Sequence, residues 1–317
     1  MNKLKEAANI AINDCMGVKE DETVLIITDE PLREIGQALF VAAKEVAKEA
    51  IFTEITPRAN HGAEPPKQIT DLLKQVDVAL MPTSKSLSHT KARKEANANG
   101  TRAATLPMIT KEIMGRTLTA DYGKIKERSI KIAEILNEGQ VAHLTTEIGT
   151  DLKMSLEGRE GKPDTGIYHQ KGDFGNLPAG EAYLAPLEGT ASGKIVIDGA
   201  MSGIGVLEEP ITLIVEDGYA VEIEGGRDAD KLKEIVDQYG KEARNIAELG
   251  IGTNDEAILT GVVLEDEKVL GTIHVAIGDN SSFGGKVEVD SHLDGIIKEP
   301  TLKIDDQIIM KNGKLKV

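Results

Sequence analysis

TVLIIT (23–28), AIFTEI (50–55), VDVALM (76–81) and RAATLP (102–107) are four short runs rich in β-formers, and they decide the reading of the first third of the chain. Around and between them, residues 3–16, 31–49, 66–74 and 87–98 carry apolar side chains at helical spacing. Strand–helix–strand alternation of this kind predicts an α/β domain of three layers around a mainly parallel sheet.

Outward from these runs the pattern changes. DYGKIKERSIKIAEILNE (121–138) predicts a strong amphipathic helix, with Ile125, Ile130, Ile132 and Ile135 on its apolar positions. Beyond it helices become scarce. Strands are expected at 140–146, 151–157, 194–198, 211–216, 219–224, 270–277, 286–290 and 301–310, with one helix at 228–240. The expected organisation is therefore an α/β domain over 1–120, a linking helix at 121–139, and an α+β domain over 140–317 built mainly on antiparallel sheet. Glycines cluster at 172–180, 189–193, 198–205, 249–252, 278 and 284–285, all in the second half, where tight turns and close backbone approaches are wanted.

The composition is globular, with 40% hydrophobic and 28% charged residues in 317. Aromatics are only 3% and Trp is absent, so the cores must be packed by aliphatic side chains and few platforms exist for stacking bases. Lys and Arg number 37 against 53 Asp and Glu, a net charge of −16 without a dense basic cluster. Such a surface repels nucleic acid and anionic membrane as main partners. The single cysteine, Cys15, rules out an internal disulfide. The amphipathic N-terminus MNKLKEAANIAINDCM lacks the apolar core of a signal peptide, and no run approaches the ~18 apolar residues of a membrane span. A cytoplasmic location is expected.

Chemistry concentrates in the second half. In SHLDG, His292 and Asp294 are two residues apart, so an extended segment presents both on one face as a compact imidazole–carboxylate pair. His274 lies in the apolar run LGTIHVAIGD, where a buried imidazole needs partners for its nitrogens. Glu248 in IAELGIGTN and Glu181 in GNLPAGEAYLAP are carboxylates in apolar, glycine-rich frames, and such groups are rarely left unpaired. A shared cation accounts for all of them at once. Three carboxylates and two neutral imidazoles carry −3. Two divalent ions and one hydroxide bring that to zero, the balance of a two-metal hydrolase.

The chain resembles the aminopeptidase T family of metallo-aminopeptidases. The likeness lies in EPP (64–66), TSKSLSHTKARKEANANGTR (83–102), GTDLKMSLEGR (149–159), GNLPAGEAYLAPLEGTASG (175–193), AELGIGTN (247–254), LGTIHVAIGDNSSFGG (270–285) and SHLDG (291–295). The resemblance implies metal ligands at Glu181, Glu248, His274, His292 and Asp294, with Glu181 and Glu248 also catalytic. It further implies two divalent ions, commonly zinc or cobalt, removal of N-terminal residues from peptides, and a homodimer enclosing a cavity. Family members place an active-site tyrosine seven residues after the first histidine, and here Ser281 stands there. Eighteen positions separate His274 from His292, fewer than in the best-known members. His89 and Arg93, four apart in SLSHTKAR, are expected on one helical face to bind a substrate carboxylate.

A family of ring-cleaving dioxygenases acting on dihydroxypyridine looks related. It implies one iron held by His274, His292 and Asp294. A homologue that binds metal or a small ligand without catalysis is the third expectation.

Overall fold

In the computed structural model, which describes residues 3–317, the chain forms two compact units. One runs up to Gly123 and includes Gly166–Ala179; the other is Lys124–Thr165 with Gly180–Val317. No helix among the described residues is long and apolar enough to cross a membrane.

The first unit is built on a five-stranded parallel sheet in the order Glu49–Ile55, Thr23–Asp29, Val78–Met81, Arg102–Thr105 and Phe174–Asn176. Its middle strands are buried on both faces. Leu25 and Ile27 pack with Ala79, Met81 and Ala103 against Ile69 and Leu73 of helix Lys67–Leu73 and Ala92 and Ala96 of helix Lys91–Ala98. Thr28, of the opposite parity, lies under Gly36 of helix Arg33–Lys44. Helices therefore cover both faces, giving the three layers that the alternation predicts. Thr90 caps the helix Lys91–Ala98, its hydroxyl accepting from Arg93 N at 3.3 Å. At the N-terminal ends of two strands, buried Arg102 donates to both oxygens of Glu22, each at 2.7 Å. Cys15 is buried in the wide final turn Ala11–Cys15 of the first helix.

The second unit holds two antiparallel sheets. One has eight strands, with Ser192–Ile197, Asp151–Ser155 and Val141–Thr145 at its middle. The other has seven, in the order Gly205–Val206, Ala200–Met201, His292–Ile297, Ile273–Gly278, Ile246–Gly252, Glu181–Leu184 and Lys162–Asp164. Both contribute to one core: Ile195, Ile197 and Leu213 from the first meet Leu184, Leu249, Ile251, Val275 and Ile277 from the second. Strand parity then sends the alternate residues of the seven-stranded sheet to its other face.

Three expectations need correction. The division is not linear, because 166–179 returns to the first unit and adds the strand Phe174–Asn176 to the parallel sheet. Three residues with glycine at their centre carry no periodic signal. The helix Tyr122–Glu138 is more than a link, since Ile132, Ala133 and Leu136 belong to the core of the second unit. Residues 286–290 form no strand. Their amides are taken by side chains instead, Lys286 N by Glu188 Oε1 at 2.8 Å and Val287 N by Asn280 Oδ1 at 2.9 Å.

Candidate metal centre

Four strands of the seven-stranded sheet set out the site. Glu181 opens Glu181–Leu184 and pairs with Gly252, which ends the strand bearing Glu248. Glu248 faces Ala276 across the next ladder, two residues along from His274, and Ala276 in turn faces Asp294. Their neighbours Leu249, Val275, Leu184 and Ile297 point into the core, so the polar residues share the opposite face. His292, two residues before Asp294, joins them on that face.

All five residues converge. His274 Nε2 lies 3.2 Å from Glu181 Oε2 and 3.4 Å from Glu248 Oε1. His292 Nε2 lies 3.2 Å from Glu248 Oε2 and 3.4 Å from Asp294 Oδ1. Two groups result, Glu181–Glu248–His274 and Glu248–His292–Asp294, each with its ligand atoms within 4.8 Å of one another. Glu248 belongs to both, one oxygen to each.

The donor set fits a cation on a specific observation. Glu181 Oε2 is buried and makes no hydrogen bond, although His274 Nε2 is only 3.2 Å away. Two lone-pair donors that approach without alignment are placed as ligands of one ion are, since atoms ~2.1 Å from a centre stand roughly 3.0–3.4 Å apart. His292 is oriented from behind: its Nδ1 donates to the Asp279 carbonyl at 2.7 Å, which turns Nε2 toward the carboxylates. Asp294 is held by Ser202, whose hydroxyl accepts from Asp294 N at 3.0 Å and donates to Oδ2 at 3.3 Å. Phe283 packs edge-on against the His292 ring.

The electrostatics follow from burial. Burial disfavours charge on His274 and His292, but Glu181 and Glu248 around the first, and Asp294 and Glu248 around the second, outweigh it and raise both well above the ordinary histidine range. Burial likewise opposes charge on Glu181, yet Lys268 and His274 bring its pKa below the usual value. Protons on the imidazoles thus stand in for the positive charge that a cation would bring.

Sequence reasoning missed Lys268, Glu267, Asp164 and Ser202. Lys268 is only 1% exposed and donates to Glu181 Oε1 at 2.5 Å and Glu267 Oε1 at 2.7 Å. Burial pushes Glu267 up to about 8, so it is largely neutral at pH 7. Asp164 and Lys268 then cancel, and the −3 of the five expected ligands survives. The run EDEK (265–268) resembles a solvated charged turn. All but Glu267 are at most 1% exposed, because Glu265 accepts from Ile258 N and Asp266 from the amides of Thr260 and Gly261. The signal available was the apolar Val-Leu that follows.

The other expected site residues lie elsewhere. His89 is exposed and precedes the helix cap Thr90, so it shares no helical face with Arg93. Arg93 serves its own unit: Nε donates to the Ser88 carbonyl at 2.6 Å, and the guanidinium stacks 3.7 Å over Phe174. Its burial lowers its pKa to about 10. Ser281 is exposed, with its hydroxyl on the Asp279 carboxylate at 3.1 and 3.2 Å, outside both ligand groups.

Comparison with known proteins sharpens the family. The chain is 24% identical over 240 residues to 2,5-dihydroxypyridine 5,6-dioxygenase of Pseudomonas putida KT2440, covering 72% of this chain and 68% of that one. The structure of 2,5-dihydroxypyridine dioxygenase from that organism superposes with a TM-score of 0.85 at 20% identity, over 99% of this chain and 97% of the other. Wild-type AmpT from Thermus thermophilus superposes with a TM-score of 0.72 at 16% identity, over 99% of both chains. The expected likeness to aminopeptidase T is thus one of fold, and the sequence relative is an oxygenase. With a family profile matching from residue 4 to residue 317, the chain belongs to the 2,5-dihydroxypyridine 5,6-dioxygenase family.

Proposed function

We propose that this protein is a metal-dependent hydrolase that holds two divalent cations, zinc or cobalt, and releases N-terminal residues from peptides. The observation that carries the reading is the placement of Glu248, whose two oxygens face different histidines and complete both ligand groups. A carboxylate shared in this way bridges ions ~3.5–4 Å apart in two-metal hydrolases. His274, His292 and Asp294 do not form one of the close groups among the described residues, as a single facial triad would.

Bound there, two cations supply Lewis acidity and a water acidic enough to react near neutral pH. The chain does the rest. Glu181 and His274 hold one half, His292 and Asp294 the other, and Glu248 ties them together. The Asp279 carbonyl and Ser202 keep their ligands oriented. Lys268, between Glu181 and Glu267, keeps the Glu181 carboxylate in place.

The family profile supports a second reading, opening of a dihydroxypyridine ring with oxygen, for which the resemblance implies one iron on His274, His292 and Asp294. Ser281, at the position where the aminopeptidase resemblance expects a phenol, favours it too. Elemental analysis of protein purified without added metal, with assays on peptide amides and on 2,5-dihydroxypyridine, separates the two. About two zinc or cobalt ions per chain with peptide cleavage support the hydrolase. One iron with oxygen uptake on the pyridine replaces it.

A further inference from the structure

Beside the ligand groups lies a second convergence of carboxylates. Asp164 pairs with Glu181 across one ladder, and Glu181 with Gly252 across the next, so the three stand in a row over adjacent strands. Gly252 lets the 268–269 backbone lie against this row: a Cβ there would stand 2.1 Å from the Val269 carbonyl oxygen. Asn254 N donates to the Lys268 carbonyl at 2.9 Å and fixes the approach. The Lys268 side chain consequently ends among Glu181 Oε1, Glu267 Oε1 and Asp164 Oδ2, at 2.5, 2.7 and 3.5 Å. Three carboxylate oxygens around one point are the donor set of a hard divalent cation, and here an ammonium with three donors fills it.

We propose that Lys268 is a built-in cation that sets how Glu181 serves the metal centre. By occupying Oε1 it leaves Glu181 a single oxygen, Oε2, for an ion shared with His274 and Glu248. By filling the nest of Asp164, Glu181 and Glu267 it also keeps a further divalent ion out. The inference rests on the two ligand groups holding cations, as the two-metal reading has them. Lys268 is a positioning residue; nothing requires it to touch substrate.

The test is cobalt titration of metal-stripped full-length protein, read by bound cobalt per chain and by visible absorption, which weakens several-fold as coordination number rises. Lys268→Ala is expected to bind about one more cobalt per chain than the unaltered protein, because the emptied nest is a competent site. Its absorption per cobalt should be weaker, because Glu181 can now ligate through both oxygens. Methylammonium should reverse both changes. The charge-balanced double variant Asp164→Asn/Lys268→Ala guards against misfolding and is expected to keep the original cobalt count with the weakened absorption. Variants that match the unaltered protein in count and absorption overturn the proposal and leave Lys268 a structural ion pair. If the unaltered protein itself binds no cobalt, the metal-centre reading fails first, and this inference with it.

Discussion

Gly250 lies directly against the imidazole of His274, where a Cβ would stand 2.0 Å from Nε2 and 2.2 Å from Cε1. The two residues face each other in the ladder, so the ring occupies the volume that a side chain at 250 would fill. The register cannot slip to relieve a clash without turning Glu248 into the core. Gly250→Ala is therefore expected to fold and to displace the His274 ring. Affinity for the cation beside it should fall ~10–100-fold, as for other losses of ligand support. Metal titration alongside circular dichroism checks this. Native folding with native affinity would show that the ring is free to move.

Glu248 and Asp294 should differ in how much metal they control. Glu248→Gln removes the carboxylate common to both groups and is expected to empty both halves, whereas Asp294→Asn spoils only the His292 half. Activity should drop ~10³-fold or more in the first, several kcal/mol of transition-state stabilisation. Elemental analysis of the two variants decides it, and an equal loss of metal in both would remove Glu248 from the bridging position.

Loading the centre should release protons. In metal-free protein His274 and His292 are raised above the ordinary value of 6.5: burial opposes their charge, and the surrounding carboxylates overcome it. A folded-state pKa above the unfolded one means that these pairs stabilise fully below pH 6.5 and lose that contribution as pH rises through the folded value. Cations need neutral imidazoles and displace the protons. Cobalt added at pH 7 in weak buffer should acidify the solution, and metal-free protein should melt lower as pH climbs beyond neutrality. Silent titration by a pH indicator would contradict the assignment of both histidines as ligands.

The Arg102–Glu22 pair should govern acid stability of the first unit. Hydrogen bonding from Arg102 holds the Glu22 pKa below 4.5. Lowered in the fold, it contributes stability that is present above pH 4.5 and is lost as pH falls through the folded value. Glu22→Gln leaves a buried guanidinium short of its partner and is expected to cost about 3 kcal/mol at pH 7. In denaturant melts the gap to the unaltered protein should narrow below pH 4.5, and a gap independent of pH would assign the loss to packing instead.

The architecture of the first unit was legible because its strands are continuous apolar runs between amphipathic helices, a periodicity written locally in TVLIIT and its neighbours. The five converging side chains were legible for a related reason, since charge inside an apolar frame is conspicuous without any coordinates. Two of the strands that carry them were not. IAELGIG is buried at every position yet interrupted by Glu and two glycines, and EAYL is too short to show a period. Only pairing between distant segments reveals that those glycines accommodate the His274 ring and the 268–269 backbone.

By itself the sequence determined which side chains cannot be left in an apolar interior without a counter-charge. Which of them share a partner was decided by the tertiary structure alone. Cross-strand register sets Asp164 beside Glu181 and Glu181 beside Gly252, and buried backbone contacts draw Lys268 out of an acidic run into that row. Coulomb interactions depend on distance through space, and spacing along the chain says nothing of a distance that two ladders and a backbone contact must close.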